Sequence, residues 1–513
     1  MDMAKAGMLI SIVVYLLFMV WIGVKLSKKN ETVGDFYLGG RKLGPVVTAM
    51  SAEASDMSSW LLMGLPGLAY LTGIADVFWT ALGLAVGTYL NWLIVARRIR
   101  RYTAETGSIT IPAFFSDRYG DKRHILSLIA AIWIVVFFVP YTASGFAACG
   151  KLFASLFGIE YHLAMVISAA VIILYTSMGG FLAASTTDLI QSIIMSIALV
   201  CITVFGIHMA GGVSNVMTHA ESLKGYLSLV QSHDPVSGKA TPYSLLTIIS
   251  TAAWGLGYFG MPHILLRFMA IDDEKKLKTS RRIASVWVVI SMGIAILIGI
   301  TGMAMSKEGV IATLKGSSAA ETIIIQISNL MSTYGFVPAL IAGLILAGIL
   351  ASTMSTSDSQ LLAASSSVSN DIMTDFFHHE TTEKETLKIS RVVLIVIAAI
   401  GILLAWDQNS SVFQIVSFAW AGFGAAFGPV VLLALFWRRS NRYGAMAGML
   451  TGGIMIFVWK FLVRPLGGIL DIYELLPAFL IALIVNVIVS LCTKEPEKEI
   501  TDTFDKVKEA ETR

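Results

Sequence analysis

Runs of about twenty apolar residues recur along most of the chain, separated by short polar stretches. A bilayer core about 30 Å thick requires a helix of this length, so each run predicts one transmembrane helix. The pattern therefore predicts an all-α polytopic membrane protein with about thirteen spans. They lie near residues 7–27, 45–70, 74–96, 125–152, 161–180, 186–212, 244–268, 282–306, 334–362, 389–406, 411–437, 443–463 and 470–492.

Two of the predicted spans contain stretches that do not suit a regular helix in lipid. Span two carries two carboxylates and four serines between Ser51 and Trp60. Span seven carries three glycines and one proline between Trp254 and Pro262. An unwound helix survives at membrane depth only where its freed backbone groups are buried in protein or line a wet cavity. Both stretches therefore predict broken helices, and the first would offer oxygen atoms to a small cation beside a bound solute.

The two interruptions lie five spans apart. Paired interruptions at corresponding places in two halves indicate an inverted-repeat transporter with its binding site at the breaks; two independently kinked helices are the alternative. The predicted divisions are a leader helix with its loop, the first repeat, an outer loop, the second repeat, two appended helices and a tail, at residues 1–44, 45–212, 213–243, 244–437, 438–493 and 494–513.

Span nine holds the densest run of hydroxyl groups in any apolar segment, from Ser352 to Ser359. Hard cations prefer oxygen ligands, and sodium belongs to this class. Serine hydroxyls in a helix also bond back to the preceding turn, which would explain the run without an ion. The length of the run favours an ion site.

The charge distribution predicts the orientation. Hydrophobic residues make up 56% of the chain and charged residues 14%, and cytoplasmic loops of membrane proteins are enriched in lysine and arginine. The N-terminus is therefore expected outside the cell membrane and the tail inside, where the tail forms a short amphipathic helix or is solvated. The basic loops follow spans one, three, seven, nine and eleven, with Lys28, Lys29, Arg41, Lys42, Arg97, Arg98, Arg100, Arg101, Lys122, Arg123, Lys275, Lys276, Lys278, Arg281, Arg282, Lys384, Lys388, Arg438, Arg439 and Arg442.

Other classes of function find little support in the residues. Cys149, Cys201 and Cys492 lack the spacing of metal ligands and are expected to be packing residues. The chain has no nucleophile–base pair and no phosphate-binding glycine loop, so we expect neither an enzyme nor a resident cofactor. The basic residues follow the loops instead of forming a nucleic-acid surface. A membrane sensor would normally carry an appended signalling domain, for which the tail is too short.

Four stretches resemble the sodium/solute symporter family, and within it the bacterial sodium/proline branch. The resemblance covers about Phe36 to Trp459 and rests on residues 38–41, 55–67, 254–260 and 419–429. It implies a LeuT-like five-plus-five inverted repeat whose first helices are broken. It also implies sodium-coupled symport of L-proline into the cell by alternating access, with sodium as the coupling ion and the protein a functional monomer. Another small solute is the alternative substrate.

The same resemblance implies roles for individual residues. The sodium ligands would be the backbone carbonyls of Ala54, Met57 and Ser352 and the hydroxyls of Ser355 and Thr356. The solute would be bound by Ser58, Trp60, Tyr141, Trp254, Tyr258, Phe259 and Pro262. Such a pocket suits proline, because the carboxylate can meet a half-helix N-terminus and the cationic nitrogen can meet carbonyls and ring faces.

Two residues depart from the pattern of that branch. Glu53 stands where glycine is usual, and Asp358 stands where a small or hydroxyl residue is usual. Asp188 resembles an acidic residue of a second sodium site in some family members. Close carboxylates cannot all stay ionised without a cation. These three, with Asp56 and Ser359, are therefore predicted to form a second cation site or to couple a proton; exposure of Glu53 and Asp358 to cytoplasmic water is the alternative.

Overall fold

The computed structural model describes residues 3–27, 32–378 and 382–509, and these are mostly helical. Lys28, Lys29 and the last four residues of the predicted tail lie outside them. The helices are α1 (Met3–Ser27), α2 (Val33–Leu38), α3 (Pro45–Asp56), α4 (Leu65–Thr72), α5 (Ile74–Leu90), α6 (Ala96–Thr106), α7 (Ile111–Tyr119), α8 (Ile125–Phe157), α9 (Tyr161–Met209), α10 (Val213–Ser222), α11 (Leu245–Ala252), α12 (Pro262–Ala270), α13 (Leu277–Lys307), α14 (Ser317–Ala320), α15 (Ile323–Ser332), α16 (Phe336–Ser366), α17 (Glu383–Leu404), α18 (Val412–Phe436), α19 (Arg442–Val458), α20 (Leu475–Cys492) and α21 (Lys498–Glu509).

Ten helical stretches of the described chain are long and apolar enough to cross a membrane. Each coincides with one of the predicted spans. The other three predicted spans coincide with shorter apolar helices, at Trp60–Thr72, Tyr161–Leu174 and Leu245–Gly260. Several spans run further than predicted, and the helical stretch that begins at Ile74 continues to Thr106. Hydropathy marks the apolar part of a helix, whereas the helix itself extends into the polar layer.

The first predicted break is present and short. Helix α3 stays regular through the serines and acids up to Asp56, and it ends because Met57 adopts φ −75° and ψ 66°, outside the helical region. A wide turn at Trp60–Gly64 then leads into α4. Within the stretch from Ser51 to Trp60, residues 51–56 are therefore helical and the break lies at Met57 and Ser58.

The second break is a run of 3₁₀ helix, Ala253–Gly260, between α11 and α12. Its glycines allow the backbone to touch α5, because a Cβ on Gly255 would lie 2.1 Å from the carbonyl oxygen of Gly83. Met261 is extended, and Pro262 starts α12, where its fixed φ suits the first helical position. Glycine and proline thus position this break as the sequence predicts.

Predicted spans five and six follow each other without a loop. Both belong to α9, whose direction changes at Gly180, where φ is 64° and ψ is −174°. Residues other than glycine rarely adopt this backbone conformation. A single glycine therefore connects the two helical segments.

Helix α16 lies at the centre of the bundle, against α1, α8 and α9. The serine-rich run is regular helix, and every side chain from Ser352 to Ser359 is buried. Many of its hydroxyls bond back to the preceding turn, as Ser352 does to the carbonyl of Ile349 at 2.8 Å. The backbone break on the α3 side therefore faces an intact helix that presents side-chain oxygens.

Gly448 and Gly452 of α19 pack helices together, because small residues four positions apart let neighbouring helices approach closely. A Cβ on Gly452 would lie 2.1 Å from the Ala425 carbonyl oxygen, and a Cβ on Gly448 would lie 2.8 Å from the Cβ of Asn486. Helix α19 is thereby held between α18 and α20. Glycine at these positions brings the appended helices into close contact with the rest of the bundle.

The segments outside the predicted spans are more ordered than the sequence indicates. The predicted outer loop, residues 213–243, contains α10 and an antiparallel hairpin of β1 (Gln231–His233) and β2 (Ala240–Pro242), with Gln231 opposite Pro242. Helix α15 was not predicted. Of the two possibilities for the tail, the amphipathic helix is the one observed: α21 buries Phe504 and Val507.

Candidate functional site

The end of α3 contacts the middle of α16. A helix leaves its last four carbonyl groups without intrahelical partners, and here they find specific ones. The Ala54 carbonyl accepts a hydrogen bond from the Ser355 hydroxyl on α16, with 2.7 Å between the oxygens. The Glu53 carbonyl accepts one from the Met57 amide at 2.7 Å. The contact between Ala54 and Ser355 joins residues 301 positions apart in the chain.

Further oxygens surround this contact. The Ser352 carbonyl accepts the hydroxyl of Thr356 at 3.0 Å and that of Ser355 at 3.2 Å. Four of the five predicted sodium ligands are thus linked by direct hydrogen bonds, and the fifth, Met57, is the residue at which α3 ends and is fully buried. The group consists of neutral carbonyl and hydroxyl oxygens, which is the chemistry that a weakly held monovalent cation requires.

Asp56 connects the two broken helices. The Tyr258 hydroxyl donates to Asp56 Oδ2 at 2.5 Å, while the other carboxylate oxygen is buried and has no partner among the described residues. The Asp56 carbonyl accepts the Tyr141 hydroxyl at 3.2 Å and the Trp60 indole at 3.4 Å. It also accepts the Ser58 amide at 2.8 Å. Four residues predicted to bind the solute therefore contact one aspartate.

The remaining predicted pocket residues lie on the 3₁₀ run or directly after it. The ring of Trp254 is 6.2 Å from that of Trp60, centroid to centroid. Phe259 and Pro262 are buried at the end of the same run. Trp420 of α18 donates its indole N–H to the Trp254 carbonyl at 2.8 Å. Its role was missed, although it lies in one of the stretches that carry the family resemblance.

A cavity of about 780 Å³ adjoins this aromatic group. Its lining includes Trp254, Phe413 and Tyr473, and the rings of Phe413 and Tyr473 lie 5.4 and 5.1 Å from that of Trp254. Lys460 and Arg464 also line it. Residues between α19 and α20 thus line a cavity next to the aromatic group. The sequence predicts α19 and α20 as appended helices and indicates no place near the site for these residues.

The acidic residues predicted as one cluster have different partners, and only Asp188 and Asp358 lie in one group of hydrogen bonds, around Arg267. Asp188 Oδ2 accepts the Ser51 hydroxyl at 2.6 Å and Arg267 Nη2 at 3.2 Å. The same Arg267 nitrogen donates to Ser359 at 2.5 Å, and the Ser359 hydroxyl lies 3.2 Å from Asp358 Oδ1. A buried guanidinium therefore supplies positive charge where the prediction placed a second ion or a proton. Arg267 is the only basic residue of the run 254–270 apart from a histidine, and a lone intramembrane arginine is the signal that could have identified it.

Glu53 lies outside that group of hydrogen bonds. Its Oε1 accepts the indole N–H of Trp92 at 3.0 Å, and its Oε2 is buried without a partner among the described residues. The Glu53 side chain is 1% exposed and that of Asp358 0%. Exposure of both residues to cytoplasmic water is therefore wrong for this conformation of the protein.

The geometry has one chemical consequence. The neutral oxygens of α3 and α16 lie next to Asp56 in the chain, and the Asp56 carboxylate binds Tyr258 of the second broken helix. A cation bound to the oxygens and a solute bound to the aromatic group would touch the same two turns of α3. Binding of one can therefore influence binding of the other.

Comparison with known proteins extends these observations. A model of the sodium:solute symporter family matches residues 36–452. The chain is 42% identical over 510 residues to the sodium/proline symporter of Haemophilus influenzae, covering 98% of both chains. It is 42% identical over 489 residues to the high-affinity proline transporter PutP of Bacillus subtilis, covering 95% of this chain and 98% of the relative.

The fold also has a solved counterpart. The structure of a Na⁺-coupled sialic acid symporter in its substrate-bound outward-open state superposes with a TM-score of 0.78 at 19% identity, covering 97% of this chain and 99% of that one. The likeness at this identity establishes the fold alone. The family match over residues 36–452 shows that the chain belongs to the sodium:solute symporter family, and its apolar helices make it a multi-pass membrane protein.

Proposed function

We propose that the protein carries L-proline into the cell together with sodium by alternating access. The proposal is supported by relatives named as sodium/proline symporters, to which the chain is 42% identical over 98% of its length. The observation that carries it is the 2.7 Å contact between the Ala54 carbonyl and the Ser355 hydroxyl, next to the aromatic group held by Asp56.

Sodium would bind between α3 and α16. A cation at the contact would replace the hydrogen bond between Ser355 and Ala54. The Ser355 hydroxyl would turn its proton away, so that its lone pair and the Ala54 carbonyl oxygen both face the ion. The ligands would be Ala54, Met57, Ser352, Ser355 and Thr356. All five are buried, so the ion would exchange its water for protein oxygens, and the absence of a formal charge among them keeps the site weak enough to release the ion.

Proline would bind beside the ion, among the aromatic side chains. The Asp56 oxygen that has no partner among the described residues would bind a positive charge. Trp60 and Trp254 would provide flat apolar walls for the pyrrolidine ring. The N-terminal end of α12 follows the second break and can meet the carboxylate. The proposed pocket comprises Ser58, Trp60, Tyr141, Trp254, Tyr258, Phe259 and Pro262.

In the proposed cycle the ion binds first and sets the spacing of α3 and α16. The end of α3 then takes the shape that receives the solute, and joint occupancy favours closure towards the outside. The inside opens, and low cytoplasmic sodium draws the ion out. Coupling is reciprocal, so loss of the ion weakens proline binding by the same factor by which loss of proline weakens ion binding.

The finer architecture is part of the proposal. Thirteen spans would form a LeuT-like five-plus-five inverted repeat, with residues 45–212 and 244–437 as the repeats. The N-terminus would lie outside and α21 inside, in agreement with the basic loops. A functional monomer is proposed, because the site is formed within one chain.

Proton coupling through Glu53, Asp188 or Asp358 is the second candidate. It is favoured by the buried oxygens of Glu53 and Asp358 that lack partners among the described residues. Arg267 weakens it for Asp188, because the guanidinium already balances that carboxylate. A symporter of the same fold for a different small solute is a third candidate, and a transporter-like membrane sensor is a fourth.

Uptake by proteoliposomes discriminates these candidates. With a sodium gradient at equal pH on both sides, labelled proline should accumulate, and replacing sodium by potassium should abolish accumulation. A pH gradient without sodium should drive none. Accumulation driven by pH alone would replace the proposal by proton symport, and competition by a panel of unlabelled solutes would reveal a different substrate.

Ser355→Ala tests the ion site. We expect it to raise the sodium concentration for half-maximal proline uptake by about tenfold, because one oxygen ligand of a charged group is lost. Selectivity among competing solutes should stay unchanged.

The matched control is Ser352→Ala. The Ser352 hydroxyl donates to the Ile349 carbonyl on its own helix, and only its backbone carbonyl is a proposed ligand. This variant should keep the wild-type sodium dependence. Altered solute selectivity in Ser355→Ala at constant sodium dependence would refute the assignment.

A further inference from the structure

An apolar groove lies on the lipid-facing side of the bundle, away from the transport site. It is a cavity of about 490 Å³ between α13 and α9, with Met50 of α3 at its floor. Val286 and Ile290 of α13 form one wall and Val200 of α9 belongs to the other, and all three are more than half exposed. The walls are joined where the Trp287 indole donates to the Ser196 hydroxyl at 2.9 Å. A concave apolar surface at membrane depth is filled by an acyl chain, since water is absent there.

The groove has the length of one leaflet. Arg282, Val286, Ile290 and Ile294 line it and follow each other at intervals of four, so they form one inclined row on α13. Twelve residues of α-helix rise about 18 Å. Half of the hydrocarbon core of a bilayer is about 15 Å. A lipid tail that starts at Arg282 would therefore reach the bilayer centre near Ile294.

The charge at the mouth of the groove selects the headgroup. Arg282 is exposed, and no carboxylate of the described chain lies within ion-pair distance of it. Of the acids that precede α13 in the chain, Asp272 forms an ion pair with Lys276 at 2.6 Å and Glu274 forms one with Arg101 at 2.6 Å. A guanidinium binds phosphate oxygens in bidentate fashion. The partner that fits is a phosphate group carrying a net negative charge.

We propose that this groove binds an anionic phospholipid, with its phosphate on Arg282 and one acyl chain along α13. In the proposed topology this is a lipid of the cytoplasmic leaflet. Its tail contacts Met50, which precedes Ser51, and the Ser51 hydroxyl is bonded to both Asp188 and Arg267. The lipid therefore touches α3, the first half of the first broken helix.

Native mass spectrometry of the full-length protein tests the site. The detergent-purified protein is titrated with dioleoyl phosphatidylglycerol or with dioleoyl phosphatidylethanolamine of the same chain length. We expect one phosphatidylglycerol molecule to be retained in preference to phosphatidylethanolamine. Arg282→Gln should weaken that binding by about fivefold, the factor expected for one basic residue at an anionic lipid. Ile290→Trp, which fills the groove, should weaken it without a change of charge.

Lys278→Gln is the control, because it removes the same charge one turn earlier on α13 and outside the groove. It should retain wild-type binding. Equal retention of the two lipids by the wild-type protein, or unchanged phosphatidylglycerol binding in Arg282→Gln, overturns the proposal. The side chains of Arg282 and Ile290 are exposed, and thermal unfolding of each variant verifies its fold. The readout involves no transport, so it stands whether or not the protein carries proline.

Discussion

Asp56→Asn is expected to lower sodium-driven proline uptake by at least about 100-fold. The carboxylate is fully buried, one oxygen is bonded to Tyr258, and the other has no partner among the described residues. Asparagine keeps the size but removes the negative charge, and loss of one member of a buried charge pair costs about 3 kcal/mol or more. Initial uptake rates in proteoliposomes under a fixed sodium gradient measure the effect.

Two further variants separate the causes. Tyr258→Phe removes the hydrogen bond and keeps the charge, so its loss of uptake should be smaller than that of Asp56→Asn. Asp505→Asn removes an acidic charge on α21, where Asp505 pairs with Arg438 at 3.0 Å, and should leave uptake near the wild-type rate. Wild-type uptake by Asp56→Asn would show that this carboxylate faces neither the ion nor the solute.

Gly255→Ala is expected to destabilise the protein by about 3 kcal/mol and to abolish uptake. An added Cβ would lie 2.1 Å from the Gly83 carbonyl oxygen and 3.3 Å from the Gly87 Cα. These are backbone atoms, so no change of rotamer relieves the clash, and overpacking of this kind costs up to about 3 kcal/mol. The midpoint of thermal unfolding in detergent and the uptake rate both report it.

Gly293→Ala is the matched substitution. Gly293 lies in α13, and a Cβ there would meet nothing within 4 Å. Alanine is favoured over glycine in a helix by about 1 kcal/mol, so this variant should unfold at the wild-type temperature or above. Equal behaviour of the two variants would mean that α5 and the 3₁₀ run are not in contact in the membrane.

Much of the fold could be predicted because lipid imposes simple conditions on sequence. Apolar length predicts the spans, and glycine with proline predicts the second break at residues 254–262. Prediction failed where the apolar length rule does not apply. Helix α15 has only ten residues, fewer than a membrane span needs.

The site was predicted less evenly. The family resemblance implied that Ala54 and Ser355 belong to one sodium site, and the structure brings these two residues into contact. The partner of Asp188 was missed, because Arg267 is 79 residues away in the chain. The partner of Glu53 was missed for the same reason, since Trp92 is 39 residues away in the chain.

The sequence by itself determined that the chain crosses the membrane many times and that two of its helices are interrupted. Both properties depend on near neighbours: the hydrophobicity of successive residues and the torsion angles that glycine and proline permit. Tertiary structure alone decided which acid faces Arg267, which faces Trp92 and which bridges to Tyr258. A buried hydrogen bond depends on atoms within about 3 Å, and the chain brings those atoms together only when distant helices pack.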